Sequence, residues 1–160
     1  MSKIKYECYK PGEIESKLLY NFLTEVDDYL TPTLSSRVNL EDYSGKLSRQ
    51  ATNFVAFDDD KMIGLSSFYF NEVPDMSFGT YLCVKEEYQK DGGVGIKLLT
   101  DSINYCEKNN SKGFWCAIRK TNKPLRRLYK YLGFTIKSEQ TYPNSDVVEL
   151  YVEKIFILKD

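Results

Sequence analysis

The sequence predicts a mixed α/β fold, in which about four helices accompany a twisted, mostly antiparallel sheet of about seven strands. Segments with strand and helix patterns follow one another in the order β-α-α-β-β-β-α-β-α-β-β. Strand, helix and strand between residues 78 and 119 imply one right-handed parallel crossover. With 160 residues, 42 % of them hydrophobic and 28 % charged, the chain is expected to form one globular domain over residues 1–160.

The first half of the chain gives two helices and three strands. Residues alternate in polarity from Ile4 to Tyr9, which predicts a strand ended by Pro11-Gly12. Apolar residues at helical spacing predict a helix from Glu13 to Tyr29, and Asn39 is the expected N-cap of a second helix. Two apolar runs, 52–57 and 62–70, flank Asp58–Lys61 and predict a hairpin with a four-residue turn.

In the second half, a strand at 78–84 leads into a glycine-rich turn and a helix that reaches about Asn110. A buried strand is expected at 113–119, because residues 114–118 are all apolar. A short helix follows, with Pro124 in its first turn and Gly133 just past its end. This helix is predicted at 123–132, and two closing strands are predicted at 134–139 and 147–156.

Composition excludes several classes of function. The net charge is −1 and no basic stripe is present, so nucleic acid is not an expected partner. The chain has no histidine, which excludes Ser-His and Cys-His nucleophile pairs and His-ligated metals, and we expect no metal site.

Cysteine spacing and hydropathy indicate a cytoplasmic protein. Four cysteines occur without a C-x-x-C spacing, which favours reduced thiols. No apolar run is long enough to cross a membrane, and the N-terminus lacks a signal-peptide core. We therefore expect a cytoplasmic location and no membrane partner.

The glycine-rich turn carries the first functional signal. Gly92, Gly93 and Gly95 allow positive φ and a close approach of the backbone to a ligand, and the helix that they open presents unpaired N–H groups. Phosphate or diphosphate is the expected ligand. Two well-known phosphate-binding patterns do not match this turn. A P-loop needs Lys-Ser/Thr after its glycines, which this turn lacks, and the dinucleotide-binding pattern needs a third glycine at the position of Leu98. A plain glycine turn that caps a surface helix is the alternative.

Two motifs resemble those of the GNAT N-acetyltransferase superfamily. Residues 90–95 (KDGGVG) resemble its acetyl-coenzyme A pyrophosphate loop, Gln/Arg-x-x-Gly-x-Gly/Ala, with Lys90 at the first position. Gln89 has the expected residue type but lies one residue too far from the glycines, so either side chain is a candidate for the phosphate-facing role. Residues 122–134 resemble a second motif, Asn-x-x-Ala-x-x-x-Tyr-x-x-x-Gly-Phe, with Leu125 where Ala is usual.

The resemblance implies the GNAT acyl-CoA N-acyltransferase fold, acetyl-coenzyme A as cosubstrate and direct attack by a primary amine. It implies that Tyr129 is the general acid for the departing thiolate and that Asn122 hydrogen bonds the pantetheine arm or the loop. Tyr131 would replace Tyr129 if the helix were rotated, and Tyr129 as a simple core residue is the alternative. The cofactor-binding residues that it implies are Leu82, Cys83, Val84, Gln89, Lys90, Asp91, Gly92, Gly93, Val94, Gly95, Ile96, Lys97, Asn122 and Tyr129.

The acceptor side is less specific. By the same resemblance it involves the first two helices and the strand ends that face them, where Arg37 would bind an anionic group and Tyr69 would contribute a stacking face. Glu72 or Asp75 is a candidate general base. We expect a small-molecule amine, for example an amino sugar. A protein N-acetyltransferase and a non-catalytic coenzyme A-binding or regulatory module are alternatives, and the protein is expected to be a monomer or a homodimer.

Overall fold

The computed structural model describes residues 3–70, 75–90 and 93–156. Within these ranges there are four α-helices: α1 (Ser16–Glu25), α2 (Leu40–Gln50), α3 (Gly93–Lys108) and α4 (Lys123–Tyr131). The same ranges contain seven strands: β1 (Ile4–Tyr9), β2 (Thr52–Asp58), β3 (Lys61–Tyr69), β4 (Met76–Val84), β5 (Gly113–Arg119), β6 (Thr135–Thr141) and β7 (Val148–Ile155).

The strands form one mixed sheet in the order β1-β2-β3-β4-β5-β7-β6. β4 and β5 pair in parallel, whereas β1 with β2, β2 with β3, β5 with β7 and β6 with β7 are antiparallel. The predicted element order, the parallel crossover and the mixed α/β class are therefore confirmed. Among the described residues, no helix is both long and apolar enough to cross a membrane.

Two local predictions are wrong. Helix α1 ends at Glu25, and a 3-10 turn follows at Asp27–Tyr29, because the Asp27 carboxylate accepts hydrogen bonds from the backbone and hydroxyl of Ser35. In the β2–β3 hairpin the strands continue to Asp58 and restart at Lys61. The turn therefore has two residues instead of four, and Asp59 adopts a φ of 53°, which Asp tolerates better than most residues.

The chain divides into two compact units. Unit 1 comprises Met1–Tyr69 and Tyr81–Ser102, and unit 2 comprises Phe70–Thr80 and Ile103–Asp160. That residues 1–160 form a single domain stays a prediction, and each unit is described by itself.

In unit 1, the start of α3 packs closely on β3. A Cβ added at Gly64 would lie 2.9 Å from Cδ1 of Leu98, so a larger residue there would push the helix away. Leu98 joins Ala56, Ile63 and Val84 in one buried cluster. The first turns of α3 and the end of β4 are thus fixed by the same core.

In unit 2, β5 lies between β4 and β7. Phe114 and Cys116 are buried on one face of it, and the ring of Phe114 lies 6.2 Å from that of Phe134 in an edge-to-face contact. The β4–β5 ladder runs from Met76 paired with Gly113 to Gly79 paired with Cys116. The parallel ladder therefore ends at Cys116, whose side chain is buried.

Candidate active site

The glycine-rich turn belongs to unit 1. β4 ends at Val84, a 3-10 turn covers Glu86–Tyr88, and α3 begins at Gly93. Asp91 and Gly92, both predicted to bind the cofactor, lie outside the described residues. The first N–H groups of α3 have no partner within the helix and carry the positive end of its dipole, so this end can bind an anion.

The expectation of positive φ is wrong for Gly93 and Gly95, because both lie in α3 and neither adopts a left-handed conformation. A Cβ added at Gly93 would have no atom within 4 Å, and one at Gly95 would lie 3.7 Å from Cγ2 of Val84, an ordinary contact. Internal packing therefore requires neither glycine. Glycine costs a helix interior about 1 kcal/mol relative to alanine, so Gly95 weakens α3 without a packing reason.

The structure assigns Gln89, Lys90 and Lys97 different surroundings. Gln89 Nε2 donates a 2.7 Å hydrogen bond to the carbonyl of Val84, which ties the connector to the end of β4. Lys90 is exposed. Lys97 Nζ lies 3.0 Å from the carboxylate of Asp101 and 5.0 Å from the ring centroid of Tyr6. Lys90 and Lys97 are both exposed cations, each two residues from a glycine of the turn.

The end of β4 presents apolar groups to α3 and polar groups elsewhere. Leu82 and Val84 pack with the cluster around Leu98, together with Val94, whereas Ile96 is 47 % exposed. Cys83 is half-buried and accepts a hydrogen bond from the hydroxyl of Tyr81. Burial raises the pKa of Cys83 to about 11, so its thiol is protonated at neutral pH and is not a nucleophile.

Two contacts that sequence reasoning missed hold the connector from the side of α1. The buried ammonium of Lys85 forms an ion pair with Glu25 at the end of α1. The backbone N–H of Glu86 donates a 2.9 Å hydrogen bond to the hydroxyl of Tyr29. These partners are separated by 60 and 57 residues, and no local pattern indicates such pairs.

In unit 2, Asn122 is the N-cap of α4. Its side-chain oxygen accepts a 3.1 Å hydrogen bond from the N–H of Leu125, one of the four N–H groups that the start of a helix leaves unpaired. Pro124 lies in the first turn, where its missing N–H has no cost. Capping explains an asparagine here without a ligand, and its contact with the pantetheine arm stays a prediction.

The other end of α4 holds Tyr129 in place. Gly133 has a φ of 94°, its N–H bonds to the carbonyl of Lys130, and the N–H of Phe134 bonds to the carbonyl of Tyr129. These two bonds and the left-handed glycine form a Schellman motif, which usually includes an apolar contact across the turn. Here that contact joins the rings of Tyr129 and Phe134, whose centroids are 4.9 Å apart.

The hydroxyl of Tyr129 lies inside unit 2. Tyr129 is 4 % exposed and its hydroxyl is hydrogen bonded to Cys116, the last residue of the β4–β5 ladder. Burial, with a smaller effect of Cys116, raises the pKa of Tyr129 well above its usual range, so the phenol stays protonated. Tyr131, the alternative, is 86 % exposed.

Sequence reasoning missed Cys116 as the partner of this phenol. Alternation along β5 puts it on the same face as Phe114 and Ile118. Burial raises the pKa of its thiol to about 12. The alternation of residues along β5 predicts which face of the strand is buried, but it does not indicate a hydrogen-bond partner.

The predicted acceptor residues have different surroundings. Arg37 is exposed at the end of a 3-10 turn in unit 1. Tyr69 is buried, and Nζ of Lys46 lies 5.0 Å from its ring centroid. In unit 2, Asp75 forms a 3.4 Å ion pair with Lys112. Glu72 lies outside the described residues.

A metal site does not emerge from the described ranges, 3–70, 75–90 and 93–156. They contain no group of three or more Cys, Asp or Glu side chains that could hold a metal ion.

The sequence matches a family model. The model of the Acetyltransferase (GNAT) family matches residues 17–134. That range contains the glycine-rich turn, Asn122, Tyr129 and Gly133-Phe134. No curated protein sequence matches the chain significantly.

Solved structures resemble the chain in fold. The ribosomal-protein-S18-alanine N-acetyltransferase from Escherichia coli has a TM-score of 0.78 at 15 % identity, over 99 % of this chain and 97 % of that one. NAA60 from Arabidopsis thaliana, in complex with a bisubstrate analogue, has a TM-score of 0.75 at 15 % identity, over 96 % and 98 %. A candidate streptothricin acetyltransferase from Bacillus anthracis, in complex with acetyl coenzyme A, has a TM-score of 0.59 at 20 % identity, over 68 % and 64 %.

Proposed function

Because the chain belongs to the Acetyltransferase (GNAT) family, we propose that it transfers an acetyl group from acetyl-coenzyme A to a primary amine of a small molecule. The observation that carries the proposal is the buried, protonated hydroxyl of Tyr129, held by the Schellman motif at the end of α4. Tyr129 serves as the general acid.

Acetyl-coenzyme A supplies the acetyl group as a thioester, whose sulfur is a competent leaving group once it is protonated. The N–H groups at the start of α3 would bind its diphosphate, and Gly93 and Gly95 leave their surroundings open for that approach. Lys90 adds an exposed positive charge beside the turn. Leu82, Cys83 and Val84 would contact the pantetheine arm, with the Asn122 amide as a further donor.

The chemistry needs one proton for the sulfur. The nitrogen of the neutral amine forms a bond to the carbonyl carbon, the carbon–sulfur bond breaks, and the phenol of Tyr129 donates its proton to the sulfur. The nitrogen releases one proton to water, and water reprotonates the tyrosinate. A thiolate whose conjugate acid has a pKa of ~8.5 in water would be a weak base towards a phenol of higher pKa. However, burial raises the pKa of the neighbouring Cys116 thiol to about 12, and a coenzyme thiol in similar surroundings would become a stronger base in the same way.

The aromatic residues of unit 1 favour a small acceptor with a stacking face. The ring of Tyr43 on α2 lies 6.5 Å from that of Tyr81 on β4, in an edge-to-face contact. Such rings contact the apolar face of a sugar or a planar group over a large area. An amino sugar fits this chemistry. An amine of low pKa would also lose its proton to water, so that no base residue is needed.

Two measurements test the proposal. Thermal unfolding with coenzyme A at ~100 times its dissociation constant should add about 2.7 kcal/mol to the free energy of unfolding. Thiol release from acetyl-coenzyme A is then measured with amino sugars, other small amines and peptides that carry a free α-amine. Turnover with small amines alone supports the proposal. Turnover with peptides alone would indicate a protein N-acetyltransferase, and stabilisation without any turnover would indicate a coenzyme A-binding module.

A further inference from the structure

Unit 2 contains a groove whose lining residues, except Tyr129, have no role in the proposed reaction. It lies between α4, the end of β5 and the β6–β7 pair and has a volume of about 560 Å³. Its floor is apolar and consists of Ile118, Phe134, Ile136, Leu150 and Val152. We call it the α4 groove. Its volume falls within the range of ~300–1,000 Å³ that is typical of small-molecule sites.

The rim of the α4 groove is basic. Lys123, Arg126, Arg127 and Lys130 all line it, and no carboxylate is among its lining residues. These four positions follow the spacing i, i+3, i+4 and i+7, so they form one stripe along α4. Leu125 and Leu128, the leucines of α4, lie on a different stripe of the helix. The cations are therefore concentrated on the side of α4 that borders the groove, in a chain whose net charge is −1.

Contacts among the described residues neutralise little of this positive charge. Among the described residues, none of the four cations forms an ion pair, and Arg126 alone donates a hydrogen bond, of 3.1 Å, to the carbonyl of Lys120. Four like charges along one helical stripe repel one another. A bound anion would remove that repulsion.

We infer that the α4 groove binds a small amphipathic anion, with an apolar body on the floor and a carboxylate, phosphate or sulfate group at the rim. The floor favours an apolar body because Ile136, 57 % exposed, would be covered by it. The cations favour a negative head group, and the concave shape favours a single molecule over a flat membrane surface. Tyr129 also lines the groove, so the ligand would lie against the ring of the proposed general acid.

The test uses decanoate below its micelle concentration, titrated into the 160-residue chain by calorimetry. Decylammonium is the cationic counterpart of equal chain length. We expect saturable one-to-one binding of decanoate that weakens with salt, weaker binding of decylammonium, and no displacement by saturating coenzyme A. Arg127→Gln with Lys130→Gln should weaken decanoate binding about tenfold. The control variant, Lys17→Gln with Lys108→Gln, removes the same charge from exposed sites outside the groove. It should leave the affinity for decanoate unchanged.

A second variant, Ile136→Asp, places a carboxylate on the floor at a position that is 57 % exposed, and it should abolish decanoate binding. Equal loss in both charge variants, equal affinity for decylammonium, or absence of saturable binding would overturn the inference. Displacement by coenzyme A would also overturn it, because the groove would then belong to the cofactor site.

Discussion

Replacing Tyr129 by phenylalanine tests the proposed general acid while leaving the packing of the ring intact. The ring keeps its 4.9 Å contact with Phe134, and the change removes one buried oxygen with its hydrogen bond to Cys116. A thiol is a weak acceptor, so we expect the free energy of unfolding to fall by roughly 0.5–1.5 kcal/mol. Loss of a general acid typically lowers turnover about 10²-fold, which corresponds to about 2.7 kcal/mol in the barrier.

The assay is thiol release at saturating acetyl-coenzyme A and acceptor, with coenzyme A affinity measured separately by calorimetry. Affinity should be nearly unchanged, because the proton is needed only as the sulfur departs. Tyr131→Phe is the matched control, since it removes the same atom from a residue on the same helix that is 86 % exposed. Wild-type turnover in Tyr129→Phe, or an equal loss in the two variants, would refute the role assigned to Tyr129.

Three further predictions follow. Gly93→Ala should raise the free energy of unfolding by up to ~1 kcal/mol, because the added Cβ meets no atom within 4 Å. It should also weaken coenzyme A binding at least about tenfold, because the methyl group blocks access to the amides. Unchanged affinity by calorimetry would argue against this anion site. Gly133→Ala, at a φ of 94°, should lower the free energy of unfolding in denaturant titrations by about 1–2 kcal/mol, and no loss would contradict the Schellman assignment. Because burial raises the pKa of Tyr129 above its usual range, its acid form and its contribution to stability persist up to about pH 10 and decline only above it; a fall in kcat below about pH 9 that disappears in Tyr129→Phe would contradict this.

Local signals in the sequence predicted the elements and several of their ends. Asn39 caps α2 as expected, its side chain accepting a 2.9 Å hydrogen bond from the N–H of Asp42. Gly133 ends α4 because only a residue that tolerates a left-handed φ fits there. Each of these features depends on neighbours within a few residues, which is why the sequence indicates them.

Features that depend on distant partners were not predicted. The end of α1 is set by the side chain of Asp27 binding Ser35, eight residues later. The partner of Tyr129 is Cys116, on the preceding strand, and the ion pair of Lys85 with Glu25 joins residues 60 apart. The roles of the site residues, including Tyr129, remain predictions, because they concern a ligand whose contacts cannot be read from the chain alone.

The residues that folding alone does not explain support the proposed site. Gly113 needs its missing side chain, because a Cβ there would lie 2.6 Å from a backbone oxygen, whereas Gly93 and Gly95 meet no such obstacle and only weaken α3. Packing against Phe134 needs only an aromatic ring on α4, to which Tyr129 adds a hydroxyl bonded to the thiol of Cys116, a weak acceptor. That hydroxyl contributes only roughly 0.5–1.5 kcal/mol to folding, and alanine would serve α3 better at the glycines. The hydroxyl and the glycines lie at positions where the proposed acetyl transfer needs a proton donor and open backbone amides.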